Sequence, residues 1–200
     1  MSNFIFPSFF LPPIAYFHYL KIADQPVQIE THEHYVKQTY RNRAVIGSSN
    51  GPLKLIIPVQ HSGKTKTPMK DLKISYAEDW QRTHWNSIVS VYKRSPYFEF
   101  YEDELHAVFH QKEDFLIDYN THLLDLLIGF LKINISFDFS EKYQEHKINI
   151  GKDINPKTEF SKKEVLQPYY HIFEDKNGFI PNLSIIDLLF HQGPYSVDYF

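Results

Sequence analysis

The chain opens on an almost unbroken apolar run over residues 4–16, cut by Pro7, Pro12 and Pro13. Two successive prolines fix the backbone for a turn and suit the first position of a helix. The run therefore predicts a buried strand passing into a short helix over residues 14–23. Between residues 27 and 36 the pattern alternates, with Val27 and Ile29 on one face and Gln28, Glu30, His32 and His34 on the other. That period of two predicts a half-buried strand with a polar face. Residues 47–52 have turn composition, and residues 53–59 are an apolar, β-branched strand. Residues 61–68 form a loop, and residues 71–76 suit another short strand.

The period then changes. Asp79 caps a predicted helix over residues 80–93, with Trp80, His84, Ile88 and Tyr92 on one stripe, and it stops before Ser95-Pro96 because the residue before proline disfavours helix. A second helix over 98–110 packs Phe98, Tyr101, Leu105, Val108 and Phe109, and a third over 114–132 packs Leu116, Leu123, Leu124, Leu127 and Leu131. Residues 133–139 suit a short strand, while 140–167 are charged and aperiodic, as a linker is. Asn177-Gly178 is a turn, Asn182 or Ser184 can cap a helix through Phe190, and Gly193-Pro194 ends it. These elements predict an α/β fold: a mostly parallel central sheet flanked by helices, with a small C-terminal appendage. Residues 1–135 form the core, and residues 136–200 a peripheral linker and helical segment packing on it.

Composition narrows the class. The 200 residues are long enough for one buried core, 42% are hydrophobic and 16% aromatic, and no cysteine is present. Disorder, disulfide scaffolds, thiolate metal sites and cysteine nucleophiles are thereby excluded, and a cytoplasmic location fits. The first basic residue is Lys21, and prolines interrupt the opening apolar run, which makes a poor signal peptide. No apolar helical stretch approaches the roughly 20 residues of a membrane span, so no membrane insertion is expected. The net charge is −3, but residues 30–94 carry eleven Lys/Arg against five Asp/Glu, a local +6. One part of the chain prefers anions, whereas the acidic whole argues against a nucleic-acid partner.

The densest polar run spans residues 30–43. If the strand continues through it, Glu30, His32 and His34 project side by side. Two imidazoles and a carboxylate are ligand types for a divalent metal, although an ordinary exposed strand face has the same look. In Arg41-Asn42-Arg43 two guanidiniums flank an amide, a pattern that clamps phosphate or carboxylate, or serves as a solvated turn. His61-Ser62-Gly63-Lys64-Thr65 lacks the first glycine and the spacing of a phosphate-binding P-loop. His84 shares an apolar stripe and reads first as a core histidine, and Asn120 on the stripe of the third helix needs hydrogen-bond partners if buried. No GxSxG, GxGxxG, HExxH or EF-hand pattern is present.

Four stretches in order carry a resemblance. They are Leu11-Pro12-Pro13-Ile14-Ala15-Tyr16-Phe17, His34-Tyr35-Val36-Lys37-Gln38-Thr39-Tyr40-Arg41-Asn42-Arg43, Leu55-Ile56-Ile57-Pro58-Val59, and Trp80-Gln81-Arg82-Thr83-His84-Trp85 followed by Ser95-Pro96-Tyr97-Phe98. The chain resembles the WbqC-like protein family over about residues 8–133, and the tail over residues 178–189 resembles the ending of one branch of that family. The resemblance implies a link to O-antigen and other surface-polysaccharide gene clusters and transfer of an activated group, such as an aminoacyl group, to a sugar. Many members carry His-Gln-Pro before the Leu-Pro element. Phe6-Pro7-Ser8 stands there instead, so no role for that histidine transfers.

The order of strand, proline turn, helix and strand is also similar to nucleotidylyltransferase-like α/β folds, which would set residues 11–17 beside residues 30–43 at the carboxyl ends of parallel strands. The resulting expectation is a transferase acting on an anionic small molecule, a nucleotide or sugar nucleotide. His32 or His34 serves as acid/base with Glu30 orienting it, and Lys37, Tyr40, Arg41, Asn42, Arg43, Trp80 and His84 bind substrate. No metal or other cofactor is assigned, and a homo-oligomer is compatible. The alternatives are a non-catalytic binding or accessory protein of polysaccharide assembly, and a metal-dependent hydrolase built on Glu30, His32 and His34.

Overall fold

Four short strands run parallel through the middle of the molecule. The computed structural model describes residues 4–60, 66–143, 148–157, 160 and 166–200. The first strand, β1 (Phe4–Pro7), leads through the Pro12-Pro13 turn into helix α1 (Ile14–Ile22), and the chain returns as β2 (Val27–Glu30) parallel to β1. Register pairs Ile5 with Gln28 and Pro7 with Glu30. Two further parallel strands, β5 (Phe137–Phe139) and β6 (Ile148–Asn149), complete the order β5-β2-β1-β6. An antiparallel hairpin, β3 (Arg43–Ile46) with β4 (Leu53–Ile56), stands apart, closed by the mutual Ser48 and Gly51 backbone bonds.

The three long helices form where the apolar stripes predict them: α2 (Trp80–Tyr92), α3 (Phe98–Phe109) and α4 (Leu116–Leu131). Asp79 caps α2 by accepting from the Arg82 N–H. Among the described residues, no helix is long and apolar enough to cross a membrane.

The expected strand over 27–36 ends at Glu30 instead. Beyond it the chain satisfies its backbone against residues 67–70: Tyr35 N–H donates to Thr67 O, Met69 N–H to Glu33 O and Lys70 N–H to Thr31 O. The alternation in sequence is real, but the partner is an irregular loop, so Glu30, His32 and His34 do not share a strand face. Residues 71–76 likewise form isolated bridges, Lys73 to Phe115 and Ile74 to Val59, rather than a ladder. The P-loop-like stretch over 61–65 lies outside the described residues, as do parts of the expected linker at 140–167.

Two strands of the central sheet come from beyond residue 135, and the C-terminal segment is part of the core rather than an appendage. Helix α1 is apolar all round and buries Ile14, Ala15, Tyr16, Phe17, Tyr19 and Leu20, so it needs cover on both sides. Helix α7 (Ile185–Gln192) supplies cover with Ile185, Ile186, Leu188, Leu189 and Phe190, all fully buried. It is preceded by the short helices α5 (Ile150–Asp153) and α6 (Glu174–Asn177) and followed by a 3-10 turn over Gly193–Tyr199.

The same segment closes the start of α1. Pro13 gives no side-chain cap, and the orphan N–H groups of Ile14 and Ala15 donate instead to Leu183 O (3.0 Å) and Asn182 Oδ1 (2.9 Å). Asn182 reaches this position with φ of +57°, a left-handed conformation that asparagine tolerates. The expected capping by Asn182 or Ser184 of their own helix is thus redirected: Ser184 Oγ donates to Leu11 O at 2.9 Å.

Within the core, Asp187 is 1% exposed and accepts from Tyr92 OH (2.5 Å), Tyr169 OH (2.7 Å) and Gly47 N–H (3.3 Å). Burial pushes its carboxyl up, but hydrogen bonding from His191, Tyr92 and Tyr169 holds it below the usual carboxylate range. His191 Nε2 accepts the Ile172 N–H at 3.0 Å, so Nδ1 carries the ring proton that goes to Asp187 O. This group fastens α2, the hairpin and the C-terminal segment to one another.

Candidate functional site

Just past the carboxyl ends of β1, β2 and β5, polar side chains gather where open parallel sheets bind ligands. Glu30 Oε1 accepts from Ser140 Oγ (2.8 Å) and from the His32 N–H (2.7 Å), so the carboxylate shapes the turn after β2. Thr31 Oγ1 donates to Ser140 O at 3.0 Å and lies 2.9 Å from His32 Nδ1. A hydroxyl has one proton, so with it given to Ser140 the imidazole donates from Nδ1 to Thr31 Oγ1. His32 is half-buried. The Glu30 carboxylate meets His32 at its backbone N–H. His34 is exposed and joins the loop only through a bridge to Pro68, and Lys37 is exposed as well.

Residues 40–43 pack against the chain leaving β1. Phe10 N–H donates to Tyr40 O at 2.9 Å, the Tyr40 ring lies 5.7 Å from that of Phe9, and Asn120 Nδ2 donates both to Ser8 Oγ (3.1 Å) and to Arg41 O (2.9 Å). Within this segment the two arginines differ sharply. Arg41 is 4% exposed and holds Glu33 bidentately, Nε to Oε1 at 2.8 Å and Nη2 to Oε2 at 2.6 Å, with a further bond to Thr39 Oγ1. Its fork is filled by the protein's own carboxylate. That pair also ties the His32 turn to the 40–43 segment. Asn42 is spent too, donating to Ile57 O at 2.8 Å and prolonging the hairpin.

Arg43 keeps its capacity. Its Nε is buried, yet no described residue accepts from it. Its charge reaches the phenols of Tyr35 and Tyr40, opposing the upward push of burial on both; burial prevails, and Tyr40 is pushed up to about 12. Tyr40 therefore stays a neutral donor beside a cation. A buried donor without a described partner is costly in a finished core.

Trp80 and His84 stand apart on α2. His84 Nε2 accepts the Ile56 N–H at 3.3 Å, its ring lies 5.5 Å from that of Trp80 and 6.5 Å from that of Phe10, and burial pulls it down to about 4. With Nε2 accepting, the proton sits on Nδ1; this atom and Trp80 Nε1 are buried without a described partner, as is Asn120 Oδ1. Phe10 links this region to residues 40–43, but among the described residues no contact brings Trp80 or His84 to His32. Among the described residues, no group of three or more His, Asp or Glu side chains is placed to hold a metal ion. Three participants carried no sequence signal as site residues. Glu33 is one of many carboxylates in a charged run, and Ser8 and Ser140 reach the sheet end only through tertiary pairing.

The model of the WbqC-like protein family matches residues 7–169, most of the chain. The chain belongs to this family. The match runs past the 8–133 resemblance and takes in β5 and β6, while α7 lies beyond it. A full-length relative is Uncharacterized protein Rv1507c of Mycobacterium tuberculosis (strain ATCC 25618 / H37Rv). It is 24% identical over 223 aligned positions, which cover 98% of this chain and 95% of the relative. No solved structure matches the chain.

Proposed function

We propose that this member of the WbqC-like family is a transferase that takes a phosphorylated or nucleotide-activated small molecule, with surface-polysaccharide assembly as its setting. The observation that carries this reading is the contrast between the arginines. Arg41 is consumed by Glu33, whereas Arg43 has a buried guanidinium N–H that no described residue accepts, beside the Tyr35 and Tyr40 phenols. A planar cation flanked by neutral hydroxyls is a phosphate or carboxylate receptor.

The nucleotidylyltransferase-like analogy supports the sheet end as the site and also marks a departure. In such folds the anion sits on the N-terminus of the first helix, but here that position is filled by Asn182 Oδ1 and Leu183 O, so the anion falls to Arg43 instead. In this reading an acceptor hydroxyl or amine attacks the activated carbon and gives its proton to His32 Nε2. The bond to the leaving phosphate or carboxylate breaks, and the charge that departs rests on Arg43. Action in the cytoplasm and self-association are parts of the same proposal.

A second reading, a non-catalytic binding protein of the same pathway, is favoured by the commitment of Glu30 Oε1 and of both Glu33 oxygens to internal bonds. A thermal-shift panel of nucleotides, sugar nucleotides and aminoacyl donors separates them when followed by turnover assays on the hits. The transferase reading expects a hit that vanishes in Arg43→Ala and turns over with a suitable acceptor. Binding without turnover supports the second reading, and silence across the panel contradicts both.

A further inference from the structure

Away from the candidate site, a concavity of about 370 Å³ opens between α3, the end of α4 and the 3-10 turn after α7. Its walls are aromatic. Tyr101 and Phe130 stand 4.8 Å apart at 48°, and Tyr97 and Phe100 stand 6.0 Å apart at 44°. Neither pair is parallel, so the four rings line the cup at differing angles rather than as a slot for one flat ring. Phe100 is 75% exposed and contributes little to the core. Glu104 also lines the cup and makes no ion pair with a described residue, and Glu99 and Asp103 add to the acidic character of α3.

Two glycines bear on this cup. Gly129 lies inside α4, where glycine is a poor helix former, and a Cβ there would meet nothing within 4 Å. Neither its backbone nor its packing requires glycine; the absent side chain leaves the cup open. Gly193 is different: its φ is +54°, and the space of a Cβ is taken by the Tyr97 ring. With the Tyr97 N–H bonded to Phe190 O at 3.0 Å, the C-terminal segment fixes that wall of the cup. Lys132, which ends α4 in a left-handed conformation (φ +53°), places a cation at the rim.

We infer that this cup binds a methylated ammonium group joined to an anion, the aromatic rings and Glu104 taking the ammonium and Lys132 the anion. Aromatic rings with one carboxylate suit a weakly hydrated cation, and a bare cation would be opposed by Lys132.

Phosphocholine is the probe, titrated calorimetrically into the full chain to about 20 mM, the range in which weak single-site binding is read. Saturable binding is expected. Glu104→Gln should weaken it about fivefold, and the isosteric 3,3-dimethylbutyl phosphate, which lacks the positive charge, should bind about tenfold more weakly. Gly129→Leu should remove binding by filling the cup, and Phe100→Ala serves if that variant fails to fold. Sedimentation with phosphatidylcholine vesicles would identify a lipid headgroup as the source of the ligand, and binding of free phosphocholine alone a soluble one. No saturable binding, equal binding of the isostere that lacks the ammonium charge, or undiminished binding in Glu104→Gln or in the folded variant of Gly129→Leu and Phe100→Ala overturns the inference.

Discussion

Replacing Arg41 and Arg43 one at a time by alanine should give opposite results, although the two lie two residues apart and look alike in sequence. Arg41 and Glu33 have side chains only 5% and 12% exposed, and their charged atoms meet at 2.6 Å. Removing one partner of such a pair leaves a buried charge and costs about 3–5 kcal/mol. For a chain of this size that corresponds to roughly 6–20 °C in melting temperature, a large share of a typical total stability of about 5–15 kcal/mol. Arg43→Ala removes a guanidinium whose buried Nε has no described partner, so its stability should stay within about 1 kcal/mol of the parent. Urea denaturation followed by circular dichroism measures both. The double variant Glu33→Ala/Arg41→Ala should recover part of the single-variant loss, because no charge is then left buried alone. An Arg41→Ala protein within about 1 kcal/mol of the parent would refute the assignment of Arg41 to structure.

Three further outcomes follow from buried groups. His84 falls from its ordinary 6.5 to about 4 on folding, so the unfolded chain binds the extra proton between those values. Its contribution is whole above pH 6.5 and lost as pH falls toward 4, and His84→Gln should flatten the stability profile in that window. Asp187 is held below its ordinary 3.8, so its contribution is present above that value and lost as pH falls below it. Asp187→Ala should cost about 3–5 kcal/mol by stranding the Tyr92 and Tyr169 hydroxyls, read as a lowered urea midpoint. Gly129→Ala meets no atom within 4 Å and should raise stability by about 0.5–1 kcal/mol in the same assay.

The long helices were legible in the sequence because α2, α3 and α4 each repeat an apolar stripe that needs no knowledge of the partner. Strand β2 was legible only to Glu30, since alternation continues to His34 whether the neighbour is a strand or the loop at 67–70. The hairpin strand β3 was hidden behind the charged run before it. Least legible was everything that depends on distant pairing. Asn182 caps a helix 167 residues away, Asp187 gathers hydroxyls from α2 and from Tyr169, and Ser140 completes the turn after β2. The candidate site shows the same division. Its proposed location after β1 and β2 comes from local order, but residues 8–10 rather than 11–17 lie against residues 40–43, and which arginine lacks a described partner is decided by Glu33, eight residues before Arg41.

The central claim is that Arg43 holds an anionic substrate while His32 moves a proton. Calorimetric affinity and single-turnover rate, measured with one sugar nucleotide found in the ligand panel on the parent, Arg43→Ala and His32→Gln, test it most directly. The account predicts that Arg43→Ala loses affinity at unchanged fold, and that His32→Gln keeps affinity but loses turnover. Undiminished affinity without Arg43, or full turnover without His32, would contradict it.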